Sequence, residues 1–140
     1  MKKIIIVILI LLPMVSIAEA EEDFLSSFVQ GKYLLVGKSL DSDQTYHGKV
    51  EIKNNNGVLN VLRHINGKII NGTGAIESAL NSDARVLCIR FSENDIEYEQ
   101  KCLIGSDLDN YARISCYLYQ PTVHTNQPGL EVLFIEHASE

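Results

Sequence analysis

The sequence predicts an all-β domain of eight antiparallel strands closed into a barrel, with one short helix at its N-terminal side. Three observations carry this reading. Short runs with period-two alternation recur along the chain, as from Tyr46 to Lys53, where Val50 and Ile52 share one face and Lys49, Glu51 and Lys53 the other. Turn signals separate the runs. Asn66-Gly67 is the strongest of them, because a type I′ turn needs positive φ at both central residues. No second helical pattern follows the first, and eight strands can close on themselves and leave no edge.

The N-terminal segment reads as a secretory signal peptide spanning residues 1–20. Lys2 and Lys3 precede an apolar run from Ile4 to Leu12, then Pro13 and the small-residue pattern Ala18-Glu19-Ala20. The run is shorter than the ~20 apolar residues that cross a bilayer. The expectation is cleavage after Ala20, a periplasmic or secreted location and no stable membrane insertion. The Met-Lys-Lys start looks bacterial. Residues 21–140 are one domain's worth of chain. Phe24, Leu25, Phe28 and Val29 recur at helical spacing, with Asp23 as N-cap and Gly31 as stop, and predict a helix of one or two turns that plugs one end of the barrel.

The strands are expected at Lys32–Lys38, Tyr46–Lys53, Val58–Ile65, Lys68–Gly74, Arg85–Phe91, Ile96–Leu103, Tyr111–Tyr119 and Leu130–Ile135. Residues 76–84 read as a looser loop. A turn over Asn54–Gly57 sets Lys53 against Val58 and His47 against His64. Across Asn66-Gly67, Ile65 meets Lys68, Arg63 meets Ile70 and Val61 meets Gly72. A turn over Ser92–Asp95 sets Cys88 against Glu99. Because the side-chain period is two, these registers assign faces. Val50, Ile52, Leu59, Val61, Arg63, Ile65 and Ile70 point inward, as do Leu87, Ile89, Phe91, Ile96, Tyr98, Gln100, Cys102, Ala112, Ile114, Cys116 and Leu118. A list this apolar is expected to fill a small barrel and leave no cavity above ~300 Å³, the lower end for ligand pockets.

Charge and motifs exclude more than they assign. The net charge is −6, and removing residues 1–20, which carry Lys2, Lys3 and Glu19, leaves −7. Phosphate contact needs an excess of Lys and Arg, so a nucleic-acid partner is not expected. No G-x-S-x-G, H-E-x-x-H or Walker-type loop occurs, so no enzyme activity and no cofactor are expected. His47 and His64 offer two imidazoles where a structural zinc site wants four ligands, and no metal is expected.

Two features carry chemistry. Cys88, Cys102 and Cys116 are an odd number of cysteines. Cys102 and Cys116 have inner parity on consecutive strands and are expected to pair, while Cys88, on the outer face, remains a free thiol open to forming a disulfide-linked dimer. Three reduced, buried thiols are the alternative. Arg63 is the one cation on the inner list, and a lone buried charge is prohibitive. Either it anchors an anion in the barrel mouth, helped by Tyr98, Gln100 or Tyr33, or it lies at the rim and reaches water.

Gly31-Lys32-Tyr33 after a short helix resembles the G-x-W start of calycin-type barrels, the lipocalin and avidin group, with Tyr in place of Trp. Gly37, Asp43, Tyr46, Gly48, Val50, Ile52, Gly72, Gly74, Gly129 and Glu131 extend a similarity to small secreted bacterial proteins of calycin-like pattern, some loosely labelled fibronectin-binding. The resemblance implies an eight-stranded calycin-like barrel and a binding function. The expected partner is a protein, such as a host surface protein or a cell-wall enzyme; small periplasmic lysozyme inhibitors are similar single-disulfide barrels. The alternative is a small-ligand carrier with an anion site at Arg63.

Overall fold

A computed structural model describes residues 15–82, 84–106 and 108–137. Helix α1 spans Val15–Phe28, followed by strands β1 (Gly31–Lys38), β2 (Thr45–Asn55), β3 (Val58–Ile65), β4 (Lys68–Ala79), β5 (Ala84–Glu93), β6 (Ile96–Ser106), β7 (Ala112–Tyr119) and β8 (Gly129–Ile135). The strands form a closed antiparallel barrel in sequence order, with β8 returning to pair with β1. The apolar run Ile4–Leu12 and Pro13 lie outside the described residues.

The helix starts earlier than expected. Asp23 lies inside α1, and Ala18-Glu19-Ala20 forms part of it. Ala and Glu are strong helix formers and nothing between Val15 and Asp23 stops them. Ser26 and Val29 are buried and Leu25 and Phe28 pack on the core, so the C-terminal end of α1 covers the barrel end where β1 begins.

Three hairpins turn on two residues with positive φ: Asn56-Gly57, Asn66-Gly67 and Asn94-Asp95. The register across Asn66-Gly67 is the expected one. The other two turns are tighter than expected, so Asn55 meets Val58 and Glu93 meets Ile96. His64 therefore faces Lys49, while His47 pairs with Val36 on β1, and the two histidines do not oppose each other. Cys88 faces Lys101 instead of Glu99. Each slip moves the register by an even number of residues, so every face assignment survives. The loop expected over residues 76–84 is mostly strand: β4 runs to Ala79, and Leu80–Ser82 make one 3-10 turn with Leu80 and Asn81 at positive φ.

The inner list is the core. Val50, Ile52, Leu59, Val61, Leu87, Ile89, Cys102 and Ile114 are all at most 2 % exposed, and Tyr33, Leu35 and Leu133 join them from β1 and β8. Ile96 departs from the list: it has inner parity but sits beyond the rim, 42 % exposed. The lower barrel is packed. The upper end is not, and the expectation of a filled interior fails there: an open chamber of about 370 Å³ lies under the β1–β2, β3–β4 and β5–β6 connections.

Candidate functional site: a charged network under an open chamber

Arg63 enters from β3 and crosses the lumen. It is 2 % exposed, so it does not lie at the rim in contact with water. Its Nη1 and Nη2 donate to Oε2 and Oε1 of Glu131 on β8, at 2.9 and 2.6 Å, a two-pronged pair that matches the guanidinium fork to the carboxylate. Gln100 on β6 accepts from Arg63 Nη1 at 3.2 Å and donates to Glu131 at 2.5 Å. Tyr46 on β2 donates its hydroxyl to the other Glu131 oxygen. Four strands are thereby tied across the interior. The Phe91 ring covers the guanidinium at 4.2 Å, and Tyr98 stacks on Phe91 with ring centroids 5.3 Å apart. Nε of Arg63 is buried and has no hydrogen-bond partner among the described residues.

Gly37 makes the Tyr46 contact available. It lies between Tyr46 and Glu131 in the ladder, paired with both. A Cβ at this position would come within 2.5 Å of the Tyr46 ring. The missing side chain lets the ring lie across β1 and reach the carboxylate.

Burial alone would raise the Glu131 pKa. The Arg63 charge, and hydrogen bonds from Arg63, Tyr46 and Gln100, more than offset it and hold the carboxyl below its usual range. The network is therefore an ionised pair with no net charge. Burial, then the neighbouring carboxylate, push the Tyr46 phenol far above its ordinary range.

Of the residues expected around Arg63, Gln100 touches it, and Tyr98 reaches it through Phe91 in the chamber wall. Tyr33 does not join them. Its hydroxyl donates to the Val29 carbonyl at 2.7 Å, where it secures the end of the helix. Glu131, Tyr46 and Phe91 were not among the expected site residues. At the rim, Lys68 and Glu93 pair at 3.1 Å and line the chamber from neighbouring hairpins.

Cys102 and Cys116 are directly opposed and disulfide-bonded, as expected. Cys88 is the free thiol, and its parity is outward, but it is 1 % exposed. Glu77, Arg90 and Glu99 surround it; Arg90 bridges the two carboxylates at 2.6 and 2.8 Å. A ready disulfide-linked dimer therefore loses its basis. Burial, then Glu77, push the thiol up to about 11. At pH 8 only ~0.1 % would be thiolate. Iodoacetamide should leave native Cys88 unmodified over a time that fully labels the urea-unfolded, non-reduced chain. Rapid native labelling would show that the Arg90 cover opens.

No family model, curated protein or solved structure matches this chain.

Proposed function

We propose that this chain is an exported, calycin-like binding protein that holds a small, uncharged molecule with an aromatic ring in the open end of its barrel. The observation that carries the reading is the chamber of about 370 Å³ floored by Arg63 and walled by Tyr46, Phe91, Tyr98 and Leu118. Ligand pockets begin at ~300 Å³ and combine apolar walls with a few placed polar groups. The volume suits a single substituted ring. The Phe91–Tyr98 stack offers such a ring a face.

The polarity of the floor sets the class of ligand. Glu131 already supplies the carboxylate that Arg63 would otherwise seek, so an anionic ligand would compete with an internal pair. A neutral molecule leaves that pair intact. Secretion through the N-terminal segment supports placing the protein in an oxidising compartment, where the Cys102–Cys116 bridge persists. Binding without catalysis accords with the ionised, mutually neutralised floor.

Fragment screening by NMR is the direct test, with pairs of aromatic amides and their parent carboxylates. Amides should shift Tyr98, Phe91 and Tyr46 resonances. Tyr98→Ala should weaken them roughly tenfold, the worth of one aromatic stacking contact, and keep the melting temperature. Tighter binding by the carboxylates would restore the anion site at Arg63. Shifts confined to the outer wall, or none at all, would sink the reading.

A further inference from the structure

The outer wall of the barrel is not uniform. On β2 to β5 its outward positions are largely polar or charged, including Lys49, Lys53, Asn60, Asn71, Thr73 and Arg90. On β7, β8 and β1 they are largely apolar. Leu34 is paired with Phe134, Val36 with Val132 and Tyr117 with Leu130, forming one contiguous block. Leu34, Val36, Tyr117, Leu130 and Phe134 are each 44–57 % exposed. A contiguous apolar block of this kind marks a contact surface, where scattered apolar residues would not.

Cations ring the block. Register places Arg113 beside Phe134, Lys49 beside Leu34, Lys38 beside Leu130 and Lys101 beside Tyr117. These four cations border the apolar block on all sides. Lys38, Lys49 and Lys101 have carboxylates at 2.8, 2.6 and 3.9 Å, in Asp43, Glu136 and Glu99. The Lys38–Asp43 and Lys49–Glu136 pairs lie at the surface, hold each other weakly and can exchange partners, and Glu99 is already held by Arg90 and Tyr119.

We propose that this face of β7, β8 and β1 adsorbs reversibly to an anionic lipid surface, with Phe134, Leu34 and Val36 entering the headgroup boundary and the surrounding Lys and Arg meeting lipid phosphates. Charge complementarity favours an anionic occupant, since four cations border the block. A second copy docked face to face would set one cation ring on another. A protein partner fits the composition less well: Lys is depleted at protein interfaces, and Leu and Val are under-represented among hot spots. Aliphatic and Phe side chains bordered by lysines are the pattern of interfacial membrane contact. The grooves of about 520 Å³ along β2–β4 and about 270 Å³ along β5–β6 are lined by other strands. The contact is peripheral, because a spanning barrel needs an apolar belt around all of its strands.

The test is co-sedimentation of the purified, host-processed protein with vesicles of phosphatidylcholine alone and of phosphatidylcholine with phosphatidylglycerol. Binding should appear with phosphatidylglycerol and weaken as salt rises. Phe134→Ser should lower the partition coefficient at least roughly tenfold, and the pair Lys101→Gln with Arg113→Gln by roughly tenfold or more. All three side chains involved are exposed, and an unchanged melting temperature confirms the fold. Equal binding to phosphatidylcholine alone would overturn the proposal. Binding that survives both sets of changes would overturn it too, by placing the lipid contact elsewhere, the apolar N-terminal segment included. So would absence of binding, or a wild-type dimer in sedimentation equilibrium that Phe134→Ser dissolves, which would make the face a self-association surface.

Discussion

Glu131→Ala should destabilise the barrel by ~3–5 kcal/mol, because it leaves the Arg63 charge buried without its carboxylate. For a domain of this size that is a fall of about 10–20 °C in melting temperature. Arg63→Met should cost a similar amount by stranding Glu131 among Tyr46, Gln100 and Cys116, with burial no longer opposed by a positive charge. The double variant Arg63→Met, Glu131→Leu should recover most of the loss, since a buried ion pair is often no more stabilising than apolar side chains of similar volume. Urea unfolding at pH 7 of the four proteins gives the coupling directly. Single variants costing under ~1 kcal/mol would mean that solvent from the chamber hydrates Arg63.

The same pair sets the response to acid. The Glu131 carboxyl titrates lower in the folded barrel than in the unfolded chain. Its contribution is fully present above the ordinary carboxylate range, near ~4.3, and disappears as pH falls through the depressed folded value. Wild-type stability should therefore drop more steeply below ~pH 4 than that of the double variant. Parallel curves would remove Glu131 as the source.

What the sequence made legible, and what it hid, follows from how far apart the interacting residues lie. Asn66-Gly67 is a local signal, and the Arg63–Ile70 register it implies is the one in the barrel. Asn54–Gly57 and Ser92–Asp95 each hold several turn-forming residues, and the choice among them moved the registers. Parity absorbs those errors, so Arg63, Gln100, Cys102 and Cys116 lie on the expected face even where their cross-strand partners differ from the expected ones. Cys88 shows the limit of parity: its face is outward, yet the Arg90 bridge between Glu77 and Glu99 buries it. Glu131 was hidden for another reason. It lies 68 residues from Arg63, and β8 carries apolar residues on both faces, so alternation does not mark its inward side. The signal available was complementarity: an inward Arg63 requires a carboxylate, and Glu131 sits between Leu130 and Val132 within a strand. The chamber was hidden because inner parity does not ensure packing. Ile65, Tyr98 and Leu118 have it, but they line the mouth above the charged network and leave space between them.

Loss of the Cys102–Cys116 bridge should be the second large effect, about 3 kcal/mol for a cross-link closing a 15-residue segment. The two cysteines join β6 and β7 across their inner face, 0 and 4 % exposed, with Cα atoms 4.0 Å apart. Double replacement by Ala is the cleaner experiment, because Ser would bury two hydroxyls in an apolar setting and add their desolvation. Cys88→Ala should serve as the background, so that no thiol is left to exchange with the bridge during the comparison. Denaturant unfolding should then show a lower midpoint without the bridge and a larger m-value, since the unlinked chain exposes more surface when unfolded. A fall in midpoint with an unchanged m-value would locate the effect in the folded barrel. That outcome has a structural route: Cys116 is the ladder partner of Glu131, so removing its sulfur also loosens the wall behind the carboxylate. Combining the bridge deletion with Glu131→Ala separates the two accounts. Additive losses mean that the bridge acts on the unfolded chain, whereas a combined loss smaller than the sum means that the bridge and the charged network support each other in the native state.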